Sequence, residues 1–572
     1  MTMTLIMKGR GAVLLSVTVP LLLCLLGACR LISGDHQTLH AGAAAVTITP
    51  FGQNPEWDGP ITASGVWGEK FEDKNNNGRW DIGEPFTDDD GNTALDAHSR
   101  GKYDGIHLAG FGHNRMATGK HDDLWARALV LDSASTRFAI VSVDLIGYYS
   151  HAGYYGADEV RKLLNPALGI QDVLITSTHN HEGPDTIGLW GANEVTDGKF
   201  PLYLRFVDRQ IAKAITQAAQ SLAAVRMKIG TTNPHLSPTL TGMQTRTGGR
   251  PPEFFDEELR AMQFVGTEGA QKERTVATLI NWNTHPESME SENTILTSDF
   301  PGAVRERIEN KYGGVAIYVS GDLGAVEIVG DNERATRIKF DGNTFLPVRG
   351  NKAATFTFQR TEAIGHDVAK AAVDAIDRGE WSQASKIELK KAELHFPMDN
   401  TGYRFLIDKG VLPAMSGTED REHSQMITMV YALRVGDAQI ITAPGELFPE
   451  VFYGVEKYRR SDCPAADTHE PPEPAVRNFM RAKYRFVFGL CPDELGYIVP
   501  RYDFHPPSFD PEHGLAEAKD ACEMQGVPAH YHETNSASSQ LAPAWACTAS
   551  NLLDGNVKSM PACAAQKQAP AK

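Results

Sequence analysis

Short apolar segments alternate with helical patterns along most of the chain. Residues 41–49 (AGAAAVTIT) have the length and apolar content of a first strand, which Pro50 ends. The segments RALVLDS and RFAIVSVDLIG, joined at residues 134–136, predict a hairpin of two strands. Four further apolar runs have strand length: DVLITST, TVATLINWN, VAIYVS and AQIITAPG. These runs supply the strands of the predicted fold.

Helical periodicity lies between these strands. It covers GADEVRKLL, then residues 203–224 with apolar positions at three- and four-residue spacing, then residues 299–311. The last of these helices is expected to begin with Asp299 as its N-cap and Pro301 in its first turn. The alternation predicts a mixed α/β fold in one large domain over residues 41–550.

The first residues predict an export signal. Lys8 and Arg10 precede an apolar run over residues 12–28 that Pro20 interrupts, which is typical of a bacterial signal peptide rather than a membrane span. The run ends in Leu-Gly-Ala-Cys, which resembles a lipobox, so cleavage would leave an acylated Cys29 on a tether of residues 29–40. We therefore expect an exported protein of the cell envelope with a lipid anchor; secretion without an anchor is the alternative.

Composition narrows the choice of partners. The net charge of the 572 residues is −17, so the field of the whole molecule repels nucleic acid and favours a small-molecule or lipid partner. The cysteines after Cys29 all lie in the last quarter of the chain, as expected for local disulfides in an oxidising compartment. They are five in number, and Cys563, in the flexible tail of residues 551–572, is predicted to be the unpaired one.

An acidic insert at residues 71–97 has the spacing of a calcium loop. Its oxygen-bearing residues fall at loop positions 1, 3, 5, 9 and 12, with Gly78 at position 6, where the chain must turn sharply. Position 7 contributes a backbone carbonyl. The predicted ligands are Asp73, Asn75, Asn77, Arg79 (through its carbonyl), Asp81 and Glu84. We expect a structural Ca²⁺ ion here; a solvated acidic loop is the alternative.

Metal-binding residue types also follow three predicted strands. One strand runs into Ser-Thr-His179-Asn-His181, a second ends in NWNT before His285, and AQIITAPG is followed by Glu446. Two histidines at alternate positions of an extended segment lie on one face and can share an ion. Zinc prefers histidine nitrogen and carboxylate oxygen, and a catalytic zinc keeps one position open for water. The pattern therefore predicts a zinc site at the strand ends.

At these residues the chain resembles the neutral ceramidase family, zinc amidases that cleave the N-acyl bond of the sphingolipid ceramide. The resemblance extends from about residue 41 to about residue 538. AGAAAVTITP is similar to the family's first strand, STHNHEGP to its THTHSGP segment, NWNTHPES with the trailing TSDFPG to its NW-x-x-H segment, and PGELF to its PGE. The resemblance implies zinc ligation by His179, His285 and Glu446, and polarisation of the scissile amide by His181.

Three further roles follow from the resemblance alone. GLCPDELGYIVP is similar to the family segment whose tyrosine completes the zinc shell, which implies Tyr497. HYHETNSAS is similar to the family's HYE-x-AS segment, which implies that Tyr531 lies beside the reacting carbonyl. Arg246, in TGMQTRTGG, falls near the family's substrate-side arginine.

The chain departs from the family in two places. The family's nucleophilic serine lies in a stretch like NAGDVSPN, and the corresponding residues 320–328 (SGDLGAVEI) carry Glu327 in its place. Only about forty residues follow Tyr531, so the family's C-terminal immunoglobulin-like domain is not expected. Without the serine, zinc-activated water is the expected nucleophile, with Glu327 as general base.

Three functions remain open at this point. The first is a zinc-dependent hydrolase of an amide or related acyl bond. The second is a non-catalytic, envelope-anchored binding protein that keeps the metal site as structure, which the missing serine favours. The third is a calcium-stabilised surface scaffold in which the histidine and glutamate residues are incidental.

Overall fold

The computed structural model describes most of the chain beyond residue 37. The described residues are 38–50, 72, 74, 85, 106–133, 136–233, 246–248, 254–328, 339–340, 345–346, 358–413, 425–454, 473–501, 504, 535–554 and 563, with the backbone alone at 246–248, 339–340 and 345–346. The predicted signal peptide, Cys29, the six predicted calcium ligands and Tyr531 lie outside these residues.

The strands occur along the whole described chain and include all seven that the apolar runs predict. They are β1 His40–Thr47, β2 Gly119–Lys120, β3 Trp125–Ser133, β4 Thr136–Val143, β5 Asp172–Ser177, β6 Ala223–Thr232, β7 Arg246–Gly248, β8 Leu259–Gly266, β9 Thr275–Trp282, β10 Ile295–Leu296, β11 Val315–Ser320, β12 Val326–Ile328, β13 Lys339–Phe340, β14 Phe345–Leu346, β15 Glu380–Trp381, β16 Ile387–Pro397, β17 Gln425–Val435, β18 Ala438–Thr442, β19 Glu446–Leu447, β20 Tyr484–Phe488 and β21 Tyr497–Ile498.

The helices lie between strands or at the end of the described chain. They are α1 Ala157–Leu163, α2 Pro201–Gln220, α3 Asp299–Tyr312, α4 Phe358–Arg378, α5 Thr401–Asp408, α6 Pro449–Tyr453, α7 Val476–Phe479 and α8 Leu541–Asp554. Short 3₁₀ turns cover Pro166–Leu168 and Gly269–Gln271. Among the helices that the structure describes, none combines the length and the apolar character needed to cross a membrane.

A nine-stranded mixed sheet organises the molecule. Its order is β11-β9-β8-β6-β1-β3-β4-β5, with β15 added beside β6. The pairs β11–β9 and β4–β5 are parallel, whereas the other pairs along this path are antiparallel. The hairpin predicted from RALVLDS and RFAIVSVDLIG is β3–β4, in which Ser133 pairs with Thr136. The predicted mixed α/β fold class is confirmed.

The large sheet is covered on both faces. Along β3, Leu129 and Leu131 belong to the core that the four-stranded sheet β16-β17-β18-β20 shares, whereas Ala128 and Val130 pack with helix α2. Helices α3 and α4 cover the half of the sheet that contains β8, β9 and β11. Helix α8 packs on β16 and β17. Because both faces of the central strands are buried, the sequences of these strands are continuous apolar runs and do not alternate between apolar and polar residues.

Two helix boundaries differ from the sequence-based expectation. Helix α2 ends at Gln220, because residues from Ala223 onwards pair as strand β6. The N-cap of α3 is Ser298 and not Asp299. Asp299 is the first residue of α3 and has a left-handed φ of 53°, and its Oδ2 accepts hydrogen bonds from the backbone N–H and hydroxyl of Ser288. The prediction of Asp299 as N-cap was wrong, because its carboxylate binds Ser288 in the preceding loop.

The expectation that Cys563 is unpaired is also wrong. Cys563 forms a disulfide with Cys547 of helix α8, across a Cα–Cα distance of 5.6 Å. Among the described cysteines, the unpaired one is Cys491, which is fully buried. The composition of the tail suggested a free thiol, but the packing of α8 brings the two cysteines within disulfide range.

Candidate metal centre

The residues of the predicted zinc site follow strand ends that meet at one edge of the sheets. His179 lies two residues beyond β5, His285 lies three beyond β9, and Glu446 begins β19. Strand β19 pairs in parallel with β21, in a register that puts Glu446 opposite Tyr497. All four residues are buried. Segments far apart in sequence are thus brought to a single point by the sheet order.

The orientation of two histidine rings is fixed by the backbone. The Nδ1 atom of His179 donates to the carbonyl oxygen of Ile146 at 2.7 Å, and Nδ1 of His285 donates to that of Val326 at 2.9 Å. A ring whose Nδ1 carries the proton has its free lone pair on Nε2. Backbone acceptors of this kind set the tautomer of metal-binding histidines. Both Nε2 atoms are therefore prepared to act as ligands.

Both prepared nitrogens point at one carboxylate oxygen. Oε2 of Glu446 lies 2.9 Å from Nε2 of His285 and 3.3 Å from Nε2 of His179. Burial raises the pKa of Glu446, but the charges and hydrogen bonds of the two histidines outweigh it and hold the pKa well below its usual range. Burial lowers the pKa of His285, whereas its bond to Glu446 and the charge of Glu287 raise it to about 9. The carboxylate of Glu446 is therefore held in its ionised form between the two rings.

His181 differs from the other two histidines. It is buried, and neither ring nitrogen has a hydrogen-bond partner among the described residues; Nδ1 lies 3.7 Å from Oε2 of Glu287. Burial, with the nearby His179 and His285, holds the pKa of His181 well below its ordinary value, so the ring is neutral. The position of the ring is set from outside the site: Arg115 donates to the carbonyl oxygens of both Ala109 and His181 at 2.5 Å.

The three histidines form a compact group. Their ligand nitrogens all lie within 4.8 Å of one another, close enough for the three rings to hold one metal ion. The Nε2 atoms of His179 and His285 and the carboxylate of Glu446 make a nitrogen and oxygen donor set, and the ring of His181 lies beside it. Such a donor set fits zinc better than it fits a hard cation such as calcium.

Of the remaining predicted site residues, the structure describes Tyr497, Glu327 and the backbone of Arg246. The ring centroid of Tyr497 lies 6.5 Å from that of His285. Glu327 follows Val326, the acceptor of His285 Nδ1, and its pKa responds to the charges of His285 and Glu446. The backbone of Arg246 pairs with Ile328 in the β7–β12 ribbon. Tyr531 and the calcium ligands lie outside the described residues.

A cavity of about 300 Å³ leads to this group. His179, His181, Glu446 and Tyr497 form its polar end. Apolar side chains supply most of its remaining wall, among them Ile146, Ile187, Leu189, Trp190, Met398, Ile407, Leu412 and Leu495. A mostly apolar pocket with a few convergent polar groups is the usual form of a small-molecule site. The arrangement can hold an apolar ligand with one polar bond against the histidine group.

Two acidic residues of this region were not predicted from the sequence. Glu287 lies beside His181, and burial raises its pKa to about 8, with a further increase from Glu327 and an opposing effect of His285. Glu494 lines the cavity three residues before Tyr497. Single acidic residues in loops have no periodic signal, although NTHPES and CPDELGY do place both beside residues that the motifs had identified.

Comparison with known proteins agrees with this architecture. Residues 96–326 match the family model described as neutral/alkaline non-lysosomal ceramidase, N-terminal. The fold is similar to that of a neutral ceramidase from Pseudomonas aeruginosa, with a TM-score of 0.57 and 13% identity over 94% of this chain and 76% of that one. It is equally similar to a structure described as ceramidase complexed with C2, with a TM-score of 0.56, 13% identity and the same coverage. No curated protein matches the chain. The resemblance predicted from the sequence is confirmed.

Proposed function

We propose that the protein is a zinc-dependent hydrolase of an amide (N-acyl) bond or a related acyl bond. The observation that carries this proposal is the convergence of His179 Nε2 and His285 Nε2 on one oxygen of Glu446, at the polar end of an apolar cavity. Buried imidazole and carboxylate groups with fixed orientation are costly unless they bind something. The similarity of residues 96–326 to a ceramidase family supports a hydrolase.

Zinc would be held by His179, His285 and Glu446, with Tyr497 as a fourth ligand. The backbone pairing of Glu446 with Tyr497 supports the inclusion of the tyrosine. When bound, zinc would supply Lewis acidity and would lower the pKa of a bound water to about 7. The protein itself supplies the orientation of the ligands through the carbonyl groups of Ile146 and Val326.

His181 would stabilise the carbonyl oxygen of the substrate. A neutral imidazole whose ring nitrogens have no hydrogen-bond partner among the described residues can donate a hydrogen bond to the negative charge that develops on that oxygen. Tyr531 would donate to the same oxygen, and Arg246 would contact the substrate. One such donor contributes roughly 3 kcal/mol to transition-state stabilisation.

Water, rather than a serine, is the proposed nucleophile. Within residues 320–328 the one hydroxyl is that of Ser320, which is fully buried and donates to the carbonyl oxygen of Thr178 at 2.8 Å. A Cβ atom at Gly324 would lie 2.5 Å from the carbonyl oxygen of Glu446, so this backbone also leaves no room for a side chain there. The described part of this segment therefore presents no hydroxyl to the cavity.

Glu327 is the proposed general base. Burial raises the pKa of its carboxyl, His285 opposes this effect, and Glu446 adds to it, which brings the group nearer to the pKa that proton transfer at neutral pH requires. Glu327→Gln should keep the metal and lower kcat by roughly 10²-fold or more. The matched control is Glu393→Gln, an exposed glutamate of β16, which should keep full activity. Full activity of Glu327→Gln would remove Glu327 from the mechanism.

The substrate is proposed to be an N-acyl lipid of the ceramide type. The apolar wall of the cavity and the neutral ceramidases of similar fold support this choice. The test is release of fatty acid from a panel of N-acyl amides, including ceramide, by the protein with zinc and after zinc removal. Zinc-dependent release supports the proposal. Absence of hydrolysis across the panel, with zinc bound, would favour the alternative of a binding protein.

Two further proposals concern residues outside those described. The spacing of Asp73, Asn75, Asn77, Arg79, Asp81 and Glu84 supports one structural Ca²⁺. The lipobox-like sequence before Cys29 supports export and anchoring in the cell envelope through an acylated cysteine. Mass spectrometry of the mature N-terminus tests the second: an unmodified N-terminus at a residue other than Cys29 would contradict it.

A further inference from the structure

Glu494 is a buried carboxyl group in the wall of the cavity. It precedes Leu495 and Gly496 in the segment between β20 and β21, and 4% of the residue is exposed. Space for its side chain depends on Gly147, where a Cβ atom would lie 2.5 Å from Glu494 Cβ and 2.6 Å from Cγ. The fold thus admits a carboxyl group at a point where the surrounding wall is apolar.

The two oxygens of this carboxyl group have different surroundings. Oε1 accepts a hydrogen bond from the backbone N–H of Gly496 at 2.9 Å, whereas Oε2 is buried and has no partner among the described residues. The neighbouring Asp493 has both oxygens paired, with the N–H of Ser150 and the hydroxyl of Thr428. A buried polar atom without a partner is rare and costly in a native structure. Its presence in a cavity wall indicates that a ligand completes it.

The hydrogen bond at Oε1 of Glu494 determines whether Oε2 can donate or accept a hydrogen bond. Burial raises the pKa of Glu494 well above its ordinary value, and the charges of Glu446 and Asp493 raise it further, so the group is a neutral acid. Tyr149 and Tyr403 also line the cavity and interact electrostatically with Glu494, in addition to the histidines, Glu446 and Tyr497 of its polar end. Since Oε1 accepts the N–H of Gly496, the proton lies on Oε2, which is then a donor in need of an acceptor.

We propose that Glu494 is a substrate-recognition residue, which donates a hydrogen bond from Oε2 to an acceptor oxygen of a ligand that is otherwise apolar. The acceptor lies close to the candidate metal centre, because Gly496, whose N–H binds Glu494, accepts the backbone N–H of Glu446 at its own carbonyl oxygen, at 3.0 Å. That the ligand is a substrate rests on the proposed function. The substrate class is then an acyl compound with a hydroxyl, carbonyl or ether oxygen near the scissile bond.

The test measures binding and needs no turnover. Calorimetry on the zinc-loaded full chain compares 1-octanol and methyl octyl ether, which carry an acceptor oxygen, with octylammonium, which carries none. Both oxygen ligands should bind the wild-type protein about tenfold more tightly than they bind the Glu494→Leu variant. This difference in affinity is the size expected for one hydrogen bond to a buried donor. Glu494→Gln, which keeps a donor at this position, should restore binding to within about threefold. Glu393→Leu, at an exposed position of β16 that does not line the cavity, is the control and should bind both as wild type does.

Three outcomes overturn the inference. The first is that Glu494→Leu binds 1-octanol as tightly as the wild-type protein or more tightly. The second is that the wild-type protein does not bind 1-octanol up to the solubility limit of the alcohol. The third is that the wild-type protein, but not Glu494→Leu, binds octylammonium more tightly than 1-octanol. The last would indicate an ionised carboxylate that recognises a cation. None of these measurements depends on hydrolysis, so failure of the hydrolase proposal is recognised separately in the zinc-dependent amide panel.

Discussion

The backbone at Gly110 lies against the ring of His181, which follows four strands later in the sequence. Gly110 has a φ of 93°, and a Cβ atom there would lie 2.3 Å from Cγ of His181. Gly110→Ala should therefore displace the His181 ring and strain the backbone, at a cost of roughly 1–3 kcal/mol in unfolding free energy and about 10²-fold in kcat/KM. Chemical denaturation and steady-state kinetics measure the two effects.

Gly112→Ala is the matched control for this prediction. Gly112 lines the same cavity, but a Cβ atom there would meet no atom within 4 Å. We expect its unfolding free energy to stay within about 0.5 kcal/mol of the wild-type value. Equal activity of the Gly110 and Gly112 variants would show that the placement of His181 does not matter for turnover.

At the level of single residues, the sequence predicted part of the candidate site. His179, His285 and Glu446 follow apolar runs. In the structure, the Nε2 atoms of the two histidines lie 3.3 Å and 2.9 Å from Oε2 of Glu446. The roles of Glu287 and Glu494 could not be predicted in this way. Their significance arises from burial and from contacts such as that of Glu287 with His181, which only the folded chain creates.

Helix α2 contains a buried acid that makes stability depend on pH. Asp208 lies on the buried face of α2, where the Tyr148 hydroxyl and the Gly156 N–H donate to Oδ1. Burial raises its pKa from 3.8 to about 7, with Glu159 adding and Arg209 opposing. The folded state thus binds this proton more tightly than the unfolded chain does. The contribution to stability is complete below about pH 4 and is lost as the pH rises through about 7.

Asp208→Asn should remove this pH dependence. Asparagine keeps an oxygen for Tyr148 and Gly156 and never ionises, so the variant should exceed the wild-type unfolding free energy by on the order of 2 kcal/mol at pH 8. The difference should disappear at pH 4. Urea denaturation at both pH values measures it, and parallel pH profiles for the two proteins would contradict the assignment.

The order of the elements in the sheets was beyond sequence analysis. The β3–β4 hairpin was predictable because its strands are adjacent in sequence and joined by a short turn. The position of β1 between β3 and β6 depends on pairing with Ala223 and Ala224, which are far away in the chain. Apolar runs buried on both faces carry no information about which neighbours they pair with, so the four-stranded sheet that covers the large one could not be assigned.

For the molecule as a whole, calcium bound to the acidic insert at residues 71–97 is expected to raise the free energy of unfolding. An ion that binds the folded state alone raises its stability by mass action, so removal of calcium by a selective chelator should lower Tm by several degrees. Zinc content should stay the same in that sample. Differential scanning calorimetry measures the effect, and restoration of Tm by added Ca²⁺ but not Mg²⁺ is the control. An unchanged Tm would identify the insert as an ordinary acidic loop.

The proposed zinc ion would be bound jointly by His179, His285 and Glu446. Metal analysis by inductively coupled plasma mass spectrometry, on protein whose folding is verified by circular dichroism, tests it most directly. The wild-type protein and His151→Ala, an exposed histidine outside the site, should each contain about one zinc per chain, whereas folded His179→Ala and Glu446→Ala should contain less than about 0.2. Equal zinc content in all four proteins, or none in the wild-type protein after zinc loading, would contradict the account.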